Sequence, residues 1–173
     1  MMMKMLEAGG MDIVTDKIRL PDEDNPNGYY EFEQVKALKN GSNHWISSLE
    51  GKAVKIISAL LEFLPTDHEY RVIFMERNMQ EILASQRQML LRRGEPADKV
   101  NDETMGQLFL KHLNQVNMLL ARRADMFTLY VNYNTLVSEP QSEVERVLQF
   151  LDLDLDKDAM VSVPDRGLYR QRK

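Results

Sequence analysis

The sequence predicts an α/β fold built on a parallel sheet, and three observations carry that expectation. Short apolar runs at 53–58, 71–76 and 126–133 have strand length and are too short for packed helices. Stretches of helical period at about 78–93 and 102–123 lie between and beside them. The two kinds of segment alternate along the chain. Such alternation requires right-handed crossovers, and those place the strands parallel with helices on both faces.

The 173 residues, 43% hydrophobic and 28% charged, suit a single domain with a genuine core over 1–173. No apolar run approaches the ~18 to 20 residues of a membrane span, and no leader is recognisable in the opening residues. The absence of Cys excludes a thiolate nucleophile, a thiolate metal site and a disulfide framework, in keeping with a cytoplasmic location. A net charge of −5 argues against nucleic acid as a partner, which needs a basic face. Only the end runs against that trend, with Arg166, Arg170, Arg172 and Lys173. The twelve Met residues fall mostly at helical core spacing and read as packing.

In order along the chain, 1–7 reads as a helix stopped by Gly9-Gly10, without a residue before it to cap it. A short strand is expected within 11–15, then a turn-rich acidic loop at 20–28. Pro21 and Pro26, and the lack of a distal Glu at the right offset, argue against a calcium loop there. Residues 29–39 are expected to be helical, with Phe32, Val35 and Leu38 on one side, and 40–45 a loop. After the strand at 53–58, a helical turn at 60–64 is stopped by Pro65. The run Val72 to Met75 then breaks at Glu76 and Arg77 into a helix. Asn78 can cap it with Glu81 in capping-box position, and Gly94 closes it. Beyond the polar loop 94–102, a long helix presents Met105, Leu108, Phe109, His112, Val116 and Leu119 as a core stripe. In the strand 126–133, Phe127, Leu129 and Val131 alternate against Tyr130. The next helix, 140–151, has Ser138 or Ser142 as candidate caps, and a short turn follows near Asp158.

Most side-chain constellations exclude chemistry. No Gly-x-Ser-x-Gly turn or Ser/His/Asp context supports nucleophilic catalysis. His44, His68 and His112 form no metal set; His112, on an apolar stripe, reads as a hydrogen-bonded residue at the core edge. No Gly-rich loop precedes a helix. Lys52 and Lys55 flank the second strand, where Lys commonly snorkels to water. The remaining candidate is the junction at 76–85, which brings Arg77 and a hydroxyl, Ser85, near a helix N-terminus that favours anions. Alone, that junction also fits an ordinary ion pair between Arg77 and Glu76 beside a helix-flank Ser.

Four stretches in order resemble the sulfotransferase family. Arg77 at a strand end is followed eight residues later by Ser85 on a helix, with Asn78 where the family often has Asp. Tyr133-Asn-Thr-Leu-Val-Ser-Glu-Pro140, running into Glu145-Arg-Val-Leu-Gln-Phe-Leu151, is similar to the family's Tyr-Glu-Asp-Leu, Pro, Phe-Leu block, with Asn134 and Thr135 in place of two acids. Asn25-Pro-Asn-Gly-Tyr-Tyr-Glu31 and Pro164-Asp-Arg-Gly-Leu-Tyr-Arg170 are similar to segments of bacterial members. The resemblance implies a P-loop NTPase-like three-layer sandwich with a central parallel sheet. It also implies 3′-phosphoadenosine 5′-phosphosulfate as donor co-substrate and a small-molecule or carbohydrate acceptor presenting a hydroxyl or amine. By that resemblance Arg77 and Ser85 hold the donor's 3′-phosphate, with Lys55 and Arg170 as helpers.

Two departures shape the expectation. The family's phosphosulfate-binding loop, of Pro-x-x-Gly-Thr-Ser/Thr type, should come just before a helix like that at 1–7, and the strand feeding it belongs between those at 53–58 and 71–76. Both are missing, so the chain reads as an N-terminally truncated or degenerate member with low turnover. Many members also carry a basic His after the strand equivalent to 53–58, where this chain has Lys55-Ile-Ile-Ser58. Ser58 alone is no general base, and Glu62 or the acids Asp22, Glu23 and Asp24 earn no assignment. The catalytic residue stays open. So do two other readings, a non-catalytic relic that binds a nucleotide or a protein, and a nucleotide-kinase relative, which lacks its Walker Lys.

Overall fold

The computed structural model describes residues 1–164 apart from 17, 20, 21, 23, 24, 26, 27, 93 and 95–100. The elements begin with helix α1 (Met2–Ala8) and strand β1 (Ile13–Val14), followed by 3₁₀ helices at Glu33–Asn40 and Ile46–Leu49. Strand β2 (Ala53–Val54), a 3₁₀ helix at Ser58–Phe63, strand β3 (Tyr70–Glu76) and helix α2 (Met79–Arg92) come next. Helix α3 (Asp102–Arg122), strand β4 (Met126–Asn132) and helices α4 (Tyr133–Ser138), α5 (Pro140–Leu151) and α6 (Lys157–Val161) complete the described chain.

β3 and β4 pair in parallel over their full length, from Tyr70 opposite Met126 to Glu76 opposite Asn132. Because side chains alternate across a strand, this pair feeds two cores. Tyr70, Val72, Phe74, Met126 and Tyr130 pack with Trp45, Leu60, Val116 and Leu120, under α3 and the 3₁₀ helices. Ile73, Met75, Leu129 and Val131 pack with Met5, Leu136, Val144, Val147 and Met160, under α1, α4, α5 and α6. Apolar cover on both faces is what the parallel reading demands.

The remaining strands form a second, minimal parallel pair, Ile13 opposite Ala53 and Val14 opposite Val54. The described strands thus make two two-stranded sheets where one central sheet was expected. The strand expected at 53–58 is cut to Ala53–Val54 because the chain turns into the 3₁₀ helix at Ser58. A cleft of about 1310 Å³ lies between the pairs. Its walls include 49–56 on one side and 67–77 on the other as unbroken runs. A sheet face would contribute alternate residues, so these walls are strand edges. At one end Ser47 Oγ meets His68 Nε2 at 3.0 Å, tying the segment before β2 to the segment before β3.

Several local expectations change. Residues 29–39 are helical only from Glu33, as a 3₁₀ helix closed by Gly41 in the left-handed region (φ 78°). Leu108 of the α3 stripe is 55% exposed; Val116 and Leu120 carry the buried contact instead, since the stripe rotates toward the C-terminal half of the helix. Neither Ser138 nor Ser142 caps α5, which starts on Pro140 after Glu139, with no side-chain cap. Asn78 does act at the start of α2, its Oδ1 accepting from Gln80 N at 2.9 Å. Asn101 caps α3 and Asp156 caps α6 in the same way. Arg123 locks the end of α3 to the chain before β3, donating to Leu64 O at 3.0 Å and Pro65 O at 3.1 Å while pairing with Asp125.

Gly9 sits where α1 meets α6, and a Cβ there would fall 2.8 Å from Met160 Cγ and Sδ and 3.2 Å from Leu155 Cβ. Met160 is fully buried and has no room to retreat. Gly9→Ala should therefore lower stability by about 1 to 3 kcal/mol, read from urea unfolding; an unchanged midpoint would show that Met160 yields freely. Burial pushes the Tyr70 hydroxyl up to about 12, and burial followed by the Glu7 carboxylate does the same for Tyr30. Both phenols keep their protons after the unfolded chain has lost its own near 10.0. Their stabilising contribution is intact below that value and is lost as pH rises toward about 12. Tyr70→Phe should flatten this alkaline loss in denaturation midpoints followed across that window.

Candidate active site

The site lies at the carboxyl ends of β2 and β3, the place where open α/β sheets take ligands. β3 delivers Arg77 there, half-buried, with its Nε donating to Glu81 Oε2 at 3.0 Å. The partner is Glu81, one turn into α2, rather than the neighbouring Glu76, whose side of the strand end is exposed. Glu81 is 8% exposed, and its Oε1 accepts from Asn134 Nδ2 at 3.0 Å. The guanidinium also stacks over Tyr133, 4.8 Å from the ring centroid. These contacts fix the plane of Arg77 while engaging only one edge of it. Among the described residues its terminal nitrogens donate to no acceptor. Burial raises the Tyr133 hydroxyl, with Arg77 opposing that effect and Glu81 adding to it.

Ser85 stands one turn beyond Glu81 on α2 and is exposed. Glu81 and Ser85 stand four residues apart on α2 and so share one side of it, while Arg77, just before the helix, reaches Glu81 from the end of β3. Lys55 lies on the cleft wall beyond β2, its Nζ donating to Tyr29 O at 2.8 Å and standing 4.0 Å from Glu31 Oε1. Burial pulls its pKa down, and the Glu31 carboxylate works against that. The Met1 ammonium, on the same cleft, is lowered by burial and then by Lys55 and Lys4. Arg170, Glu23 and Asp24 lie outside the described residues.

Sequence reasoning missed the pairing of Ser58 with His112. Ser58 Oγ and His112 Nε2 are 2.8 Å apart, both partly buried and both on the cleft wall. His112 is hydrogen-bonded at the core edge, as its place on the α3 stripe suggested, but its partner is 54 residues away. The only signal in the sequence was a lone His on an apolar helical face. The other His residues sit elsewhere: His68 contacts Asp67 at 2.7 Å, and His44 is exposed. Asp22 accepts from Tyr29 Oη at 2.7 Å, and Glu62 is exposed. Among the described residues no cluster of His, Asp and Glu could hold a metal ion.

A family model described as the sulfotransferase family matches residues 24–157, well over half of the chain. The chain belongs to the sulfotransferase family. No curated protein and no solved structure matches the chain. The matched span includes Lys55, Ser58, Arg77, Ser85 and His112, along with β2, β3 and β4. Membership in the sulfotransferase family supports a general role in sulfotransfer. The mixed α/β architecture with small parallel sheets is compatible with the fold of such an enzyme. No described helix is long and apolar enough to cross a membrane.

Glu81 holds both Arg77 and Asn134 from a buried position. Glu81→Ala should cost on the order of 2 kcal/mol in chemical unfolding, whereas Glu81→Gln, which still accepts hydrogen bonds, should cost less. Equal losses in the two variants would show that packing, not hydrogen bonding, sets the penalty.

Proposed function

We propose that the chain transfers a sulfuryl group from 3′-phosphoadenosine 5′-phosphosulfate to a hydroxyl or amine of a small-molecule or carbohydrate acceptor. The observation that carries this reading is Arg77, held by Glu81 and Tyr133 at the carboxyl end of β3 with its terminal nitrogens taking no described acceptor. A guanidinium fixed in this way suits a phosphate, which it can bind through two parallel N–H donors. Exposed Ser85 adds a hydroxyl one turn beyond Glu81 on α2, and we assign it with Arg77 to the donor's 3′-phosphate. Lys55 is positioned to add positive charge where the transferring group is stabilised, and Arg170 is a second candidate helper. The bound donor supplies the electrophilic sulfur. The protein orients it for in-line displacement and offsets the negative charge that develops on the leaving phosphate.

The apolar cover on both faces of β3–β4 supports a three-layer arrangement, and we take 1–173 as one domain acting in the cytoplasm. Turnover is expected to be slow. The apolar residues of β3 along the cleft are only half-buried, so water reaches the place where the transferring group needs a dry, preorganised setting. The same openness favours a second reading, a protein that holds the nucleotide or a protein partner without catalysing transfer.

Titration calorimetry with adenosine 3′,5′-bisphosphate tests the site. Wild-type protein should bind it. Arg77→Ala should weaken binding by about 10- to 100-fold, as expected for a lost charge-assisted contact, and Ser85→Ala by less. No binding to the folded wild type would remove the donor site. Binding without transfer of labelled sulfate to any acceptor would leave the second reading.

A further inference from the structure

We propose that Ser58 and His112 form the proton relay that activates the acceptor in this cleft, a role that rests on the sulfuryl-transfer reading above. The pair is built from two separate elements. Ser58 opens the 3₁₀ helix that follows β2, and His112 projects from the middle of α3. Their 2.8 Å contact brings an imidazole into the lining of the cleft that Lys55 and Arg77 also line from its two walls. Imidazole is the side chain best suited to take a proton near neutral pH, and a hydroxyl in contact with it can pass one on.

With its proton on Nδ1, His112 accepts from Ser58 through Nε2. An acceptor hydroxyl entering the cleft would hydrogen-bond to Ser58 Oγ. As its oxygen bonds to sulfur, the bond between sulfur and the bridging phosphate oxygen breaks. The electron pair leaves with the adenosine bisphosphate. The acceptor's proton passes to Ser58 Oγ, and the Ser58 proton passes to His112 Nε2. Once the product leaves, the Nε2 proton returns through Ser58 Oγ to water in the open cleft, and Nδ1 keeps its proton, so the starting tautomer is regained. The relay thus restores itself.

The charged neighbours set the pH response. Lys55 beyond β2 and Glu76 and Arg77 at the end of β3 share the cleft wall with the pair. The 3₁₀ helix contributes Ser58 and Leu61 to that wall, α2 contributes Ile82, and α3 contributes Phe109, Leu113 and Asn117 beside His112. Glu50, Lys52, Asp67, His68, Glu69 and Arg71 line it around the amino ends of β2 and β3. Beyond those, the charges on the wall are Lys55, Arg77, the Met1 ammonium and the Glu76 carboxylate, and the residues that the 3₁₀ helix and α3 contribute to it are uncharged apart from His112 itself.

Phenylmethanesulfonyl fluoride tests the relay without needing the donor. It is a sulfur electrophile, and its reaction with Ser58 forms an O–S bond, expels fluoride and delivers the Ser58 proton to His112. Peptide mapping should find Ser58 labelled in the folded wild-type chain. The rate should rise with pH through a single ionisation, a dependence that a purely structural hydrogen bond would not produce. His112→Gln should slow labelling at least about tenfold, in line with the loss of general-base catalysis. The wild-type pH profile decides the matter even if that variant folds poorly. Unlabelled Ser58 in folded wild type, a flat profile, or undiminished labelling in folded His112→Gln would overturn the relay. Bisphosphate binding without labelling would remove the relay and keep the donor site. Labelling without bisphosphate binding would remove the sulfuryl-transfer reading and keep the pair as the proton acceptor of the cleft.

Discussion

The parallel ladder between β3 and β4 is the constraint on which the rest of the chain depends. Its seven-residue register sends alternate side chains to opposite sides. A slip of one residue would exchange the two apolar sets and place each against the wrong helices. Val131 and Leu136, both fully buried, anchor the side carrying α4 and α5. Val116 and Leu120 bring α3 down on the other side. Parallel strands cannot be joined by a tight turn, so α2 and α3 form the crossover between β3 and β4. That crossover carries Ser85 and His112, and the strand end before it carries Arg77.

The chemistry of the site follows from the competition for Arg77. A guanidinium near a strand end can neutralise a neighbouring acid or wait for an anionic ligand. Here its edges are used unequally. Glu81 takes the Nε side, Tyr133 covers one face, and the terminal nitrogens are left without a described acceptor. The ion pair fixes the direction of the guanidinium before a ligand arrives, which lowers the entropic cost of ordering it on binding. Glu81 also places negative charge beside Arg77 and one helical turn before Ser85. Its second contact, with Asn134, ties α2 to the start of α4, so the first turn of α2 keeps its place relative to β4.

Much of this was legible in one dimension. The helix at 1–7, the strands at 71–76 and 126–133 and the helices on either side of Gly94 were visible because each has its own period and its own stop residue. The extent of β2 was not, because an apolar run such as Ala53–Ser58 suits an extended chain as well as the entry to a 3₁₀ helix. Pairing and packing chose between them. The Leu108 error has a similar origin. A helical stripe shows which residues share a side, but the length of helix that meets the sheet depends on where the sheet ends.

By itself the sequence determined the class of fold, the family resemblance and the choice of Arg77 as a candidate anion ligand, all of which rest on local spacing. Periodicity and short motifs are properties of neighbours along the chain, and eight residues from Arg77 to Ser85 is close enough to read. Only the tertiary structure decided that Glu81, not Glu76, pairs with Arg77, and that Ser58 meets His112. The first turned on which way the strand end faces, the second on how α3 lies across the 3₁₀ helix. Both are consequences of packing on the β3–β4 ladder, and no spacing along the chain encodes them.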